Sequence, residues 1–401
     1  MKKVGVFLII LVTIISGCTK VEKKLSQETS PPDEKKILDK VETPSTVNIP
    51  NKIENYINKM TIEEKIGQIL MPAFRDFNYN DPVDYMSEPM EKALEEYKVG
   101  GVILFKENIK EKKQVQLLVK DLQRKSKIPL FMGVDEEGGI VSRISSNPEM
   151  GFDEIDTAYE IGQEGDKSKA YDTGLQLGLM LRQLGFNMNF APVADIWSNP
   201  DNTVIGERSF GNDPETVSKM VNEVVQGLQD EEIISVIKHF PGHGDTKEDT
   251  HEGSAYVDAS LDQLKDRELI PFKNAIDSGV TGVMVGHLEL PQIDEGVPAS
   301  LSSKIITDIL KKDMEFEGLI VTDALDMGAM TTEYDEGEVA LRSFLAGTDI
   351  LLMPNLEKAH SSLMQAYEDK KITDQRLDES VYKILYTKYE YGIIDDDFFT
   401  R

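Results

Sequence analysis

Short apolar runs alternate with longer amphipathic stretches through most of the chain. The runs are rich in Val, Ile and Leu, and continuous runs of this kind are typical of parallel strands buried on both faces. Between them, stretches such as KQVQLLVKDLQRKSK (113–127) and AYDTGLQLGLMLRQLG (170–185) carry apolar residues at helical spacing. The runs predicted as strands are 99–105, 128–135, 186–195, 233–239, 279–287, 316–323 and 347–354.

This alternation predicts a TIM-type (β/α)8 barrel, built as a single catalytic domain, rather than an open sheet. The polar residues at the ends of the runs support the prediction, because strand C-termini in such a barrel converge on the mouth that carries the active site. Any single Asp in this position has an alternative role as a helix N-cap, but a whole set favours a site. The set is Asp135, Asp195, Lys238 with His239, His287 and Asp323.

The segment KHFPGHGDTKEDTHEG (238–253) gathers three of the chain's five histidines on a stretch that Pro and Gly keep from forming a regular element. His239 and His243 have the i, i+4 spacing of two metal ligands on a helix, but Pro241 and Gly242 between them exclude that helix. A zinc site assembled from loop residues remains the alternative. We expect no metal and no cofactor.

Asp249 and His251 suit acid–base chemistry. In an extended segment, residues i and i+2 project to the same side, so this carboxylate can reach the imidazole, fix its tautomer and raise its basicity. Asp323, at the end of a predicted strand, would add a carboxylate nucleophile, and a nucleophile with a separate proton donor is the arrangement of retaining glycoside hydrolysis. An ordinary surface pair is the alternative for Asp249 and His251.

The N-terminus, MKKVGVFLIILVTIISGC (1–18), has the layout of a secretory signal, with basic residues, an apolar run and small residues in succession. Its end, ISGC, resembles the lipobox of bacterial lipoproteins, which implies that Cys18 is the lipidated residue. A plain signal peptide with an incidental cysteine is the alternative. Residues 19–50 are polar and predicted to be a flexible tether, and residues 51–395 are predicted to be the barrel domain.

Composition mainly excludes classes of partner. The chain has 401 residues and 40% hydrophobic residues, enough for a large core. Its formal net charge of -28 argues against binding nucleic acid or adhering to anionic lipid surfaces, because both require an excess of Lys and Arg. Cys18 is the only cysteine, which excludes disulfides within the chain and a cysteine-ligated zinc site.

Several segments together resemble glycoside hydrolase family 3, in particular its β-N-acetylglucosaminidase branch. The resemblance extends from about residue 52 to residue 390. Thr250 stands where the family usually has Ser, which leaves Asp249 and His251 in place. The matching segments are KHFPGHGDTKEDTH, MTIEEKIGQIL (60–70), VGGVILFKENI (99–109), GVDEEGGIVSRI (133–144), LGFNMNFAPVADI (184–196), IGERSFGNDP (205–214), PASLS (298–302) and IVTDALDMGAM (320–330).

The resemblance implies a role for each candidate residue. Asp323 would be the nucleophile of a covalent glycosyl–enzyme intermediate, His251 the general acid/base, and Asp249 its partner. Asp195 would also support the pocket and is a weaker candidate for direct contact with the sugar. The residues implied to bind or order the non-reducing-end sugar are Asp135, Arg208, Lys238 and His239, with Arg143 and His243 in supporting positions.

The expected function is that of an exo-acting, retaining β-N-acetylglucosaminidase, lipid-anchored on the extracytoplasmic face, whose substrates are muropeptides or other N-acetylglucosamine glycosides. Many family members take their acid from a Glu in a second domain, for which these 401 residues leave no room, so the acid is expected from the barrel loop. Three alternatives stay open: a substrate-assisted mechanism, β-glucosidase or β-xylosidase activity, and a non-catalytic sugar-binding lipoprotein. The substrate-assisted mechanism would need a pair of acidic residues, for which Glu136 and Glu137 are weak candidates because we expect them to serve a turn.

Overall fold

A ring of eight parallel strands forms the centre of the described part of the chain. The computed structural model describes residues 48–75, 83–246 and 255–400. Six of the strands, β2, β3, β4, β5, β7 and β9, make one continuous parallel sheet in that order. The strands are β1 Leu70–Met71, β2 Gly101–Ile103, β3 Phe131–Val134, β4 Met188–Asn189, β5 Ile234–Phe240, β6 Ala255–Tyr256, β7 Gly282–Val285, β8 Leu288–Glu289, β9 Leu319–Thr322 and β10 Leu351–Leu352.

The ring closes through β1 and β10, which pair in parallel with each other. A bridge between Ala73 and Ile103 joins β1 to β2, and a bridge between Val321 and Ile350 joins β9 to β10. The predicted TIM-type barrel is therefore confirmed. β6 and β8 pair with each other beside the ring.

Helices surround the ring and cover its strands. The predicted helices at 113–127 and 170–185 are confirmed as α4 and α6. The helices are α1 Ile49–Ile57, α2 Ile62–Gln68, α3 Glu88–Tyr97, α4 Lys112–Lys125, α5 Ala158–Glu164, α6 Lys167–Leu184, α7 Pro214–Asp230, α8 Leu261–Asp266, α9 Leu269–Asp277, α10 Gly328–Thr331, α11 Glu336–Ala346, α12 Leu356–Glu368 and α13 Asp374–Glu390. A π-helix spans Lys304–Asp313, and short 3-10 turns span Pro148–Met150, Gly206–Arg208, Ala299–Leu301 and Phe398–Thr400.

Local chemistry sets the ends of these elements. α2 begins with a capping box in which Thr61 and Glu64 each bond the other's backbone N–H, so two helix-end donors are satisfied. α6 ends at Gly185, whose φ of 90° is the left-handed conformation that glycine adopts without a Cβ clash. Inside the ring, a Cβ at Gly133 would lie 2.5 Å from the end of the Met71 side chain, so a larger residue would require that side chain to move.

Each of the seven predicted runs contains a strand of the ring, and β1 is the one that the sequence pattern missed. Only Ile69 separates its two residues from α2, and Pro72 follows them, so no separate apolar run marks them. The predicted signal segment 1–18 with Cys18, and the tether up to residue 47, lie outside the described residues. Across 48–75, 83–246 and 255–400, every helix is too short or too polar to cross a membrane.

Candidate active site

The carboxyl ends of the ring strands open into one cleft. Seven of the predicted site residues line it, although they come from four of the sequence segments described above. Two of the predicted strand-end residues, Asp195 and His287, are instead buried behind the wall of the cleft. The predicted residues that line the cleft are Asp135, Arg143, Arg208, Lys238, His239, His243 and Asp323.

A compact network of ion pairs forms one wall of the cleft. The Lys238 ammonium lies 2.6 Å from an Asp135 oxygen and 2.7 Å from a Glu137 oxygen. Glu137 also accepts two hydrogen bonds from the Arg208 guanidinium, at 2.9 Å from Nε and 2.8 Å from Nη2. This paired geometry is the strongest that an Arg and a carboxylate can form, so the Arg208 head is held in one orientation.

The network keeps its members charged. Burial would raise the pKa of Glu137, but Arg208 and Lys238 outweigh it and hold that pKa far below its usual range. Burial would likewise lower the pKa of Lys238, but Asp135 and Glu137 raise it above its ordinary value. The cleft therefore presents fixed, opposite charges as hydrogen-bond donors and acceptors, which suit the hydroxyl groups of a sugar.

His239 is oriented from behind by Asp195. The fully buried Asp195 carboxylate lies 2.7 Å from His239 Nδ1 and also accepts hydrogen bonds from the backbone N–H groups of His239 and His243. The Nδ1 proton is thereby assigned to the Asp195 bond, which leaves Nε2 as an acceptor near Arg208 Nη2, at 3.4 Å. The peptide bonds before His239 and Pro241 are cis. Asp195 thus supports the pocket from behind it.

Asp323 follows β9 and is held close to its own backbone. Its N–H donates to Val285 O at 2.9 Å, and its Oδ1 accepts the Ala324 N–H at 2.7 Å. Burial would raise the pKa of Asp323, but its surroundings, including His239, the Ala324 N–H and Lys238, lower it. An ionised carboxylate at the floor of the cleft is the protonation state that a nucleophile needs.

The two glutamates after Asp135 have different roles. Glu136 is fully buried and accepts hydrogen bonds from the backbone N–H groups of Arg143, Ile144 and Ser145, at 2.7, 2.8 and 3.1 Å. It serves the turn, as expected, and it positions Arg143. For Glu137 that expectation was wrong, because its side chain joins the ion network. Alternation was the available signal, since Asp135 and Glu137 are two residues apart and share a side.

The segment that leads toward the predicted dyad is tightly held up to Thr246. The buried Asn202 side chain donates to His243 O at 2.8 Å and accepts from the N–H groups of Val204 and Ile205. A Cβ at Gly244 would lie 1.8 Å from Ile196 O. Residues 247–254 lie outside the described residues, so Asp249 and His251 stay predictions.

The sequence pattern missed a second wall of the cleft. Arg75 follows β1, and its guanidinium carbon lies 4.7 Å from the centre of the Phe105 ring, with that of Arg143 at 5.9 Å. Asp326 lies on the same wall, and its pKa is raised chiefly by burial. Arg75 was missed because its strand was missed, and Asp326 because it stands four residues beyond the end of β9.

Neither a metal nor a cofactor is needed to account for these contacts. Within the described ranges, no three His, Cys, Asp or Glu side chains are grouped as ligands for a metal ion. The histidines of the cleft are already engaged, His239 with Asp195 and His243 with Thr246. The expectation that the reaction uses no metal stays a prediction.

Comparison with known proteins gives consistent matches. Residues 61–387 match the model of the glycosyl hydrolase family 3 N terminal domain. The chain is 32% identical to beta-hexosaminidase A of Pseudoalteromonas piscicida over 81% of this chain and 60% of that protein. It is 35% identical to beta-hexosaminidase LpqI of Mycobacterium tuberculosis over 64% of this chain and 67% of that protein.

A similar solved structure is the family 3 beta-N-acetylglucosaminidase from Paenibacillus sp., with 36% identity and a TM-score of 0.79. That likeness covers 83% of this chain and 63% of the other. The chain therefore spans somewhat less than two thirds of the Pseudoalteromonas and Paenibacillus proteins, at 60% and 63% of their lengths.

Proposed function

The chain belongs to glycosyl hydrolase family 3, and we propose that it is an exo-acting, retaining β-N-acetylhexosaminidase that releases terminal N-acetylglucosamine. The observation that carries the proposal is the placement of the Asp323 carboxylate in a cleft whose other wall is the network of Lys238, Asp135, Glu137 and Arg208. The names of the relatives support the choice of sugar.

In the proposed reaction, the network of charged residues and His239 hold the hydroxyl groups of the terminal sugar. Asp323 attacks the anomeric carbon, and the bond to the leaving oxygen breaks as His251 gives that oxygen a proton. Water then attacks the same carbon, gives its proton back to His251, and displaces the Asp323 carboxylate. Asp249 would keep the His251 imidazole in the required tautomer.

The proposed setting is the extracytoplasmic face of the membrane. Support comes from the signal-like segment 1–18 and from the lipobox-like ISGC, which would make Cys18 the lipid anchor. Exposed there, the enzyme would meet muropeptides and other cell-wall fragments that carry terminal N-acetylglucosamine. Globomycin, which blocks the signal peptidase for lipoproteins, tests the anchor: the unprocessed precursor should accumulate, whereas normal processing would contradict it.

A panel of aryl glycosides tests the activity. We expect turnover of the β-N-acetylglucosaminide to exceed that of the β-glucoside and the β-xyloside by at least about 100-fold, as expected where a site hydrogen-bonds a group that the analogues lack. We expect Asp323→Ala and His251→Ala each to lower kcat/KM by about 10³-fold or more. His360→Ala, on α12 and outside the cleft, is the matched control for the histidine variant.

The same panel separates the alternatives. Faster turnover of the glucoside or xyloside would replace the proposed sugar, and full activity of either variant would remove the mechanism. A fluorosugar adduct on Asp323 supports the covalent route, whereas turnover without any adduct supports the substrate-assisted one. Sugar binding without turnover would leave a binding protein.

A further inference from the structure

His287 is a buried histidine directly behind the nucleophile candidate. It follows β7, is 1% exposed, and does not line the cleft. Its Nδ1 lies 2.7 Å from the hydroxyl of Ser300, and its Nε2 lies 2.9 Å from the carbonyl oxygen of Ala324. Ala324 is the residue that follows Asp323.

These two contacts assign the protons of the imidazole. A carbonyl oxygen only accepts hydrogen bonds, so the proton must be on Nε2, which donates to Ala324 O. Nδ1 is then the acceptor, and it takes the hydroxyl proton of Ser300. Burial lowers the pKa of His287, in agreement with a neutral ring whose two nitrogens are both satisfied.

The histidine acts on Asp323 through Ala324. The Ala324 N–H donates to Asp323 Oδ1 at 2.7 Å, and the Ala324 carbonyl is the group that His287 holds. The Leu325 N–H, which donates to Leu352 O at 3.0 Å, anchors the segment on its far side. Ala324 is therefore fixed from its carbonyl while its N–H orients the carboxylate.

We propose that His287, oriented by Ser300, is a positioning residue that sets the attack geometry of Asp323 through the Ala324 carbonyl. The inference rests on the proposed function, because it takes Asp323 as the nucleophile. Displacing a nucleophile by about 1 Å lowers the rate about 100-fold, so a contact to the neighbouring residue Ala324 is enough to change the rate of attack by Asp323. Substrate binding depends on the opposite wall and is unaffected.

A matched pair of amide variants tests the proposal. In His287→Asn the side-chain amide reaches only as far as the Nδ1 position, toward Ser300, whereas in His287→Gln it reaches the Nε2 position and can still donate to Ala324 O. We expect the Asn variant to lose about 10- to 100-fold in kcat with KM changed by less than about threefold. The Gln variant should retain kcat within about fivefold of the wild type.

Two further measurements make the test specific. The rate at which an activated fluorosugar labels Asp323 should fall in parallel with kcat in the Asn variant. Ser300→Ala removes the hydroxyl that orients the His287 ring, and it should lower kcat by about threefold or more at unchanged KM. If the Asn variant does not fold, the Ser300→Ala variant tests the proposal in its place. Melting temperatures of all variants are measured alongside.

The outcomes separate this inference from the proposed function. If the Asn and Gln variants melt at lower temperature but keep the wild-type kcat per folded enzyme, His287 is only structural and the inference is overturned. Equal losses in kcat for Asn and Gln overturn it as well. If the wild type releases no sugar, or Asp323→Ala keeps full activity, the proposed function fails and takes the inference with it.

Discussion

At the residue scale, Glu137 is the centre of the charge network in the cleft. Among the described residues it is the one carboxylate that contacts both the Lys238 ammonium and the Arg208 guanidinium, and its side chain is only 5% exposed. Removing one member of such a buried group leaves the others charged and unpaired, which costs far more than the net value of the intact set. Glu137 therefore matters for the stability of the cleft as well as its shape.

We predict that Glu137→Gln lowers the free energy of unfolding by about 3–5 kcal/mol at pH 7, measured by urea denaturation. Because the folded-state pKa of Glu137 is depressed from 4.5, its contribution is fully present above about pH 4.5 and declines at lower pH. The difference between variant and wild type should shrink accordingly below that pH. Glu164→Gln, which removes an exposed pair with Lys169, should cost less than about 1 kcal/mol. Equal costs for both variants would contradict the prediction.

Many of the cleft residues could be predicted individually from the sequence, because they stand at the ends of predicted strands. Asp135, Lys238, His239 and Asp323 were identified in this way, since a polar residue that closes an apolar run has few structural roles apart from capping the next helix. Glu137 could not be assigned so simply. Its spacing of two residues from Asp135 suggests that the two side chains share a side. That spacing holds only if the chain stays extended beyond β3, which the local pattern does not determine.

At the element scale, the connection that follows β5 is closely packed and held by side-chain hydrogen bonds. Gly244 packs directly on the carbonyl of Ile196, and the buried Asn202 side chain ties His243 to the turn that carries Arg208. In the sequence, this connection is followed by residues 247–254, which include Asp249 and His251. Any shift of its stem would therefore move the predicted acid/base relative to Asp323.

We predict that Gly244→Ala lowers kcat/KM by at least about 10-fold, because a Cβ placed 1.8 Å from a backbone oxygen forces the stem to move. Enzyme assays on the folded fraction measure this effect. Gly165→Ala is the control. Its φ of 65° makes alanine unfavourable by about 1–2 kcal/mol, but no atom lies within 4 Å of the added Cβ, so its activity per folded enzyme should not change.

Hydrophobic periodicity located seven of the eight ring strands and the helices at 113–127 and 170–185, but it did not locate β1. Leu70 and Met71 stand between a helix and a proline, and they become a strand only because the ring needs an eighth member between β10 and β2. Missing β1 also hid Arg75 and the wall around Phe105. Failing to predict β1 thus also meant failing to predict part of the cleft.

At the scale of the whole molecule, the two ends of the barrel serve different purposes. The carboxyl ends of the strands hold the cleft, and the fixed charges there serve chemistry. The opposite end is closed by α2 and α13, where Lys388 is fully buried, with its ammonium 2.9 Å from Gln68 Oε1 and 4.9 Å from the centre of the Phe131 ring. In a barrel of this kind, that end contributes stability rather than catalysis.

Lys388 gives this end an unusual pH dependence. Burial lowers its pKa to about 7 in the folded chain, from an ordinary value of 10.5. Between these values the unfolded chain binds more protons than the folded one, so the wild type should gain stability as the pH rises from about 7 to 10.5. Below about pH 7 the ammonium is charged in both the folded and the unfolded chain, so the loss of stability caused by its burial is at its maximum and no longer changes with pH.

We predict that Lys388→Met removes this dependence. The variant should be more stable than the wild type at pH 7, and its advantage should fall by about 2–5 kcal/mol by pH 10, since each pKa unit corresponds to about 1.4 kcal/mol. At high pH the variant should become slightly less stable than the wild type, because Gln68 Oε1 then lacks a donor that the neutral amine of the wild type still supplies.

Urea denaturation at several pH values measures this, with Lys169→Met as an exposed control. Unfolding free energies of variant and wild type that run parallel from pH 7 to 10 would show that the amine is charged throughout and that the barrel end tolerates it.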